Sequence, residues 1–235
     1  MNDKAGALIL RLLGARDPAF DPPPFSAAVA EEVLGPSGAM LTPHRRLLEL
    51  VNGTYLHGHA LHLFGACEGP AWHSLRAWNA PATWRHSYGG RDAGLLFFAE
   101  DAFGDQFAYN GVGGEIVVFE AETGRVTECM PHFVAWLEEM VERPGGLLPI
   151  EVLERERARQ QLHQPGTQLF SWPPLAAIES REGVSVGHVD AVEAMRFRGQ
   201  LAERLGALPP GTQVEIDFAD MADLDAALSD DKPRP

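Results

Sequence analysis

The sequence predicts an α+β protein, with a meandering antiparallel sheet flanked by helices, and three stretches carry that prediction. The first is Gly94 to Asn110, GLLFFAEDAFGDQFAYN. Leu95 to Ala99 is a continuous apolar run, too short for a typical helix and rich in aromatic residues, as suits a strand covered on both faces. Gly104 can take positive φ in a tight reversal, Gln106 to Tyr109 resumes an extended pattern, and Asn110-Gly111 is a strong hairpin signal. The stretch therefore reads as two central strands joined by an acidic turn holding Glu100, Asp101 and Asp105. The second is the helical run before it, Ser26 to Leu34 and Thr42 to Val51. The third follows it: Phe133, Trp136, Leu137, Met140 and Val141 repeat at helical spacing after Pro131.

Composition bounds what such a fold can do. With 45% hydrophobic and 22% charged residues, the 235-residue chain is ordinary for a protein that buries a real core. A formal net charge of −14 disfavours nucleic-acid phosphates and anionic membranes and favours cationic partners. Cys67 and Cys129 are the only cysteines, without CxxC spacing, which argues against a zinc ribbon or a disulfide scaffold. The apolar run Ala7 to Leu13 is broken by Arg11, so neither a signal-peptide core nor a membrane span is expected. The expectation is a soluble cytoplasmic protein.

In chain order, Leu8 to Leu13 reads as a short helix ended by Gly14 and the proline-rich DPAFDPPPF. Ser26 is the expected N-cap of a helix through Leu34, stopped by Gly35-Pro36. Thr42 is the expected N-cap of the next helix, with Pro43 at its first position and Asn52-Gly53 at its end. In that helix Leu47, Leu48 and Val51 share one side, while His44, Arg45, Arg46 and Glu49 fill the rest. TYLHGHALHLF alternates, placing Tyr55, His57, His59, Leu61 and Leu63 on one strand face. A tryptophan-rich stretch follows, with a short helix over Trp72 to Asn79 and a loop over Ala82 to Arg91. Glu115 to Glu120 and Arg125 to Cys129 read as paired strands about a turn. Beyond Arg143 come a charged helix, Ile150 to Leu162, and a helix Ala191 to Leu205 capped by Asp190. A strand over Gln213 to Phe218 and a short helix over Met221 to Leu228 complete the pattern. The organisation is an N-terminal proline-rich segment (1–24), a main domain (25–143), a C-terminal α/β extension docked on it (144–228) and a tail (229–235).

Three constellations invite chemistry. His57, His59 and His62 approach metal-ligand spacing, but on a strand His62 points away from the other two, and HExxH is absent. Glu100, Asp101 and Asp105 could act as paired carboxylates, although an acidic turn already accounts for them through bonds to nearby backbone. Gly183-Val184-Ser185-Val186-Gly187 fits the letters of a nucleophile elbow. The residues before it are poor strand material, and His188 lies too near for the hydrolase order. Neither a catalytic residue, a metal ligand nor a cofactor site is assigned.

The order of elements resembles the SUKH superfamily over about Phe25 to Arg143. Pro43, Leu47, Leu48, Asn52 and Gly53 match its proline-opened helix closed by Asn-Gly. Phe97, Phe98, Gly104, Asp105, Phe107 and Tyr109 match its strand, Gly-Asp turn and aromatic strand; Phe133, Trp136 and Leu137 match its final helix. That superfamily includes fungal regulators of cell-wall synthesis and bacterial immunity proteins paired with secreted toxins. The resemblance implies a non-enzymatic protein-binding scaffold, here an immunity protein against a cognate toxin, with a cationic toxin suited to the acidic charge. A regulatory adaptor is the alternative, and a metal-dependent or serine hydrolase the third reading. Expected partner contacts are Glu100, Asp101 and Asp105 around the aromatic anchors Trp78 and Trp84.

Overall fold

A computed structural model describes residues 3–35, 41–111, 114–158, 164–172, 174 and 185–208. The sequence readings over Gln213 to Phe218, Met221 to Leu228 and the tail lie outside the described residues. Three helices lead: α1 (Asp3–Leu13), α2 (Ala27–Leu34) and α3 (Thr42–Leu50). Ser26 caps α2 as expected, its Oγ accepting from the Val29 amide at 3.3 Å. In α3 the expected cap shifts by one residue. Thr42 is already helical, Leu41 is the N-cap without a side-chain bond, and Pro43 still sits in the first turn.

Six strands follow: β1 (Thr54–Leu56), β2 (Leu61–Leu63), β3 (Leu95–Asp101), β4 (Gln106–Asn110), β5 (Glu115–Phe119) and β6 (Val126–Met130). They form one antiparallel sheet in which spatial order is chain order, the meander that the sequence predicts. The segment expected to be one alternating strand is instead a hairpin, β1 to β2. His57, Gly58 and His59 all take positive φ in its turn, at 49°, 65° and 69°, and this reversal destroys the alternation read from the letters. Between β2 and β3 lie a one-turn helix α4 (Leu75–Trp78), capped by Ser74, and a 3₁₀ turn over Arg85–Tyr88.

Both faces of the sheet are covered, which explains why β3 is apolar without interruption. A β-bulge between Phe97 and Ala99 accompanies two successive phenylalanines that serve different layers. Phe98 packs on Phe133 and Trp136, at centroid distances of 5.4 and 5.0 Å. These two come from α5 (Phe133–Glu142), which His132 caps and which also packs on α1. Phe97 turns the other way onto Trp84, at 5.1 Å. His44, expected on the polar side of α3, is buried and stacks on Phe133 at 4.9 Å.

After α6 (Ile150–Ala158), the C-terminal extension supplies a two-stranded sheet, β7 (Thr167–Trp172) with β8 (Ser185–Asp190), and helix α7 (Ala191–Gly206). Asp190 caps α7 as the sequence predicts, accepting from the amides of Val192 and Glu193 at 3.0 and 3.1 Å. The extension docks on the tryptophan-bearing side. The Leu169 amide donates to the Ala102 carbonyl at 2.7 Å, α7 lies against the 3₁₀ turn, and Leu169, Met195 and Ala202 join the main core. At the β6 edge of the sheet, Val126, Thr127 and Glu128 are exposed.

Candidate functional site

Glu100 was expected in a turn, but β3 continues through Asp101, and pairing with β2 sets Glu100 opposite His62. The side chain points into the interior and is only 3% exposed. Glu100 Oε1 lies 3.0 Å from His62 Nδ1, His62 Nε2 lies 2.9 Å from His73 Nδ1, and His73 Nε2 lies 3.0 Å from the Asn52 carbonyl. Glu100 Oε2 accepts from the amide groups of Gln106 (2.9 Å) and Gln168 (2.7 Å). Gln106 Oε1 accepts from Trp78 Nε1–H at 2.8 Å, and Gln168 Oε1 accepts from the Arg198 guanidinium at 2.5 Å. One polar network thus joins α3's end, β2, β3, β4, α4, β7 and α7.

Glycines make room for it. A Cβ on Gly53 or Gly65 would lie 2.6 or 2.7 Å from the His73 ring, inside any real contact, so the imidazole is held between the two. Gly104, at φ +88°, leaves the space that the Gln168 amide fills. Arg198 lies 4.9 Å from the Phe170 ring and donates to the Leu169 carbonyl at 2.8 Å. Tyr55 stacks between His59 and His62, at 4.5 and 4.3 Å.

Burial sets the electrostatics. It pushes the Glu100 carboxyl up to about 7, against the pull of Gln106, Gln168 and the Arg198 charge. It pushes His62 and His73 down to about 3, so both rings are neutral. Asp101 is raised well above the usual range by burial and by Asp105 nearby.

The five residues expected to meet a partner are therefore placed otherwise. Glu100 and Asp101 are buried, and Trp78 and Trp84 are wholly enclosed. Asp101 Oδ1 accepts from the amides of Phe103 and Asp105, and Asp105 Oδ1 accepts from the Ala121 amide at 2.8 Å. Asp101 and Asp105 hold the turn together, as the backbone-bonding alternative predicted, while the Glu100 carboxyl is engaged inside the network. Trp78 packs on Phe64 and Trp84, while Trp84 also meets Tyr88, Phe97 and Phe119. They fix an irregular segment onto the sheet. Tryptophans in a Pro- and Gly-broken stretch more often fix such segments onto the core than anchor a partner, and the structure places Trp78 and Trp84 in that commoner role.

The histidine cluster also disperses. His59 pairs with Asp17 at 2.5 Å, His62 belongs to the buried chain, and half-buried His57 is bonded to the Met140 backbone. No group of three or more His, Cys, Asp and Glu placed to hold a metal ion occurs among the described residues. Ser185 opens β8 opposite Trp172, and four further strand residues separate it from Asp190, the α7 cap. That backbone is not a strand-to-helix elbow; Gly183 and Val184 lie outside the described residues. His73, Gln106, Gln168 and Arg198 escaped sequence reasoning. Only the two glycines beside His73 and the Gly at the central turn hinted at close packing there. No helix among the described residues is long and apolar enough to cross a membrane. No family model matches the chain, and no curated protein matches it.

Proposed function

We propose that this chain is a SUKH-like protein-binding scaffold, an immunity protein that binds and neutralises a cognate toxin in the cytoplasm. One observation carries the reading. The side chains best suited to chemistry, Glu100, His62, His73 and Arg198, are internal and spend their hydrogen bonds on one another, on the amides of Gln106 and Gln168 and on the backbone. What faces solvent is a charged skin on which exposed acids such as Glu31, Glu49, Glu115 and Glu128 contribute to a net charge of −14. Such a surface accelerates encounter with a cationic partner and leaves inhibition to steric occlusion. The expected order of helices, antiparallel sheet and closing helix is consistent with the resemblance, which remains the source of the toxin assignment.

The experiment is a pull-down of the tagged chain from its native cells at low and high salt, read by mass spectrometry. A stoichiometric, salt-sensitive partner that is toxic when expressed alone and harmless beside this chain is the expected result. A housekeeping partner would move the reading to a regulatory adaptor. Ester hydrolysis or stoichiometric metal in the purified protein, with no partner retrieved, would overturn it.

A further inference from the structure

The chain Asn52–His73–His62–Glu100 contains three contacts of hydrogen-bonding length, and each needs one hydrogen. The Asn52 carbonyl can only accept, so His73 Nε2 carries a hydrogen toward it. A neutral His73 then has a bare Nδ1, which must accept from His62 Nε2–H. A neutral His62 in turn has a bare Nδ1, which faces Glu100 Oε1. Two neutral imidazoles supply two hydrogens for three contacts. The third must sit between His62 and Glu100.

We propose that Glu100 is a neutral carboxylic acid donating to His62, and that this four-group chain is a pH-sensitive relay ending at Asn52. The remaining contacts of Glu100 fit a neutral acid: Oε2, its carbonyl oxygen, accepts twice, from Gln106 and Gln168. The charged and titratable groups around it come from several elements. They are Tyr55 on β1, His59 in the β1–β2 turn with its partner Asp17, His62 on β2, His73 before α4, Arg198 on α7, and the acids Asp101 and Asp105 of the central turn. Arg198 acts on Glu100 through its charge and is joined to it by hydrogen bonds through the Gln168 amide.

The same count says where a lost proton is felt. An ionised Glu100 is the strongest acceptor in the chain and draws a hydrogen onto His62 Nδ1. The hydrogen on His62 Nε2 passes to His73 Nδ1, and that on His73 Nε2 leaves to solvent base. Three hydrogens become two, both rings exchange tautomer, and the bare His73 Nε2 now faces the Asn52 carbonyl. Asn52 also anchors its surroundings, donating to the Pro23 carbonyl at 2.9 Å and accepting from the Ala66 amide at 2.7 Å. Ionisation of a residue on β3 is therefore transmitted to the proline-rich segment and to the strand exit at Ala66.

The test is a pH titration of the wild-type chain by ring-nitrogen NMR, with Glu100→Gln as comparison. Glutamine can donate to His62 and accept from Gln106 and Gln168, as the neutral acid does. In wild type, His62 and His73 are expected to change tautomer together, with one midpoint near neutrality. Above that midpoint, exchange of the Ala66 amide should be about tenfold faster than its intrinsic rate rise accounts for, the consequence of one lost buried hydrogen bond. In Glu100→Gln both changes should vanish, as should the protonated-carboxyl infrared band that the wild type carries below the midpoint. A doubly protonated His62 beside an ionised Glu100, separate midpoints for the two rings, or a tautomer change that persists in Glu100→Gln would overturn the relay. The wild-type titration decides the matter alone if the variant does not fold.

Discussion

His44 shows how one buried side chain can be both a stabiliser and a liability. Its Nδ1 accepts from the Tyr109 hydroxyl at 3.1 Å, its ring stacks on Phe133, and burial holds it down to about 3. The folded-state value lies below the unfolded value of 6.5, so its contribution is complete above that pH and is lost as pH falls towards 3. His44→Phe should cost about 1–3 kcal/mol at neutral pH, because it leaves the Tyr109 hydroxyl buried without an acceptor. The pair His44→Phe with Tyr109→Phe removes both polar groups and should return to within about 1 kcal/mol of wild type. Urea unfolding at about pH 7 and about pH 5 checks this, since the double variant should lose less stability on acidification. Equal acid sensitivity would show that neutral burial of His44 is not a cause. Helical spacing put Leu47 and Leu48 in the core correctly. It could not do so for His44, because a histidine looks polar until an aromatic cage and the Tyr109 hydroxyl donor are assembled around it.

At the scale of elements, the fit between α7 and the 3₁₀ turn Arg85–Tyr88 is set by a missing methyl group. A Cβ on Gly199 would stand 2.7 Å from Ser87 Cβ and 2.8 Å from Tyr88 Cδ2. Alanine is favoured over glycine in a helix by about 1 kcal/mol, yet overpacking a fixed contact costs about 1–3 kcal/mol. Both neighbours are buried, and Tyr88 is further fixed by its bond to the Ala121 carbonyl at 2.7 Å. The steric term should win. Gly199→Ala is expected to lower the urea midpoint, while Gly206→Ala, beside the movable end of Arg91, should be better tolerated. Circular dichroism on the two variants separates steric conflict from propensity, and a raised midpoint for Gly199→Ala would refute the close fit. Caps, breaks and amphipathic helices were legible because their causes are local: Ser26, Asp190 and the Phe133 to Met140 spacing act within a turn or two. The β1–β2 reversal was not, since its left-handed residues include two histidines, which carry no turn signature.

For the whole molecule, the main sheet and the C-terminal extension share one interior. Leu169, Met195 and Ala202 belong to the same core cluster as Phe97 and Trp84, and the Gln168 amide closes on Glu100 from the extension's side. The expected behaviour is a single cooperative unfolding transition, with amides of β7 about as protected as those of β4. Urea denaturation followed by hydrogen exchange checks it, and an early transition confined to Thr167–Gly206 would contradict it. The α+β class was legible because strand and helix periods are sequence properties. The candidate site was not, because it depends on residues as far apart as Asn52, Glu100 and Arg198 meeting in space.

The sequential order of the six strands has a consequence for biogenesis. A chain made from its N-terminus adds each strand beside one already synthesised; β1–β2 and β3 to β6 can close as successive hairpins, while the β2–β3 pairing must wait for the long connection that carries α4 and the 3₁₀ turn. The step that must wait longer is the arrival of β7, whose Leu169 amide and Gln168 side chain need Ala102 and Glu100 already in place. Until then the tryptophan-bearing layer lacks its cover. The ribosome therefore delivers the described parts in the order in which the fold can use them, with β7 and α7 arriving to cover the tryptophan-bearing layer.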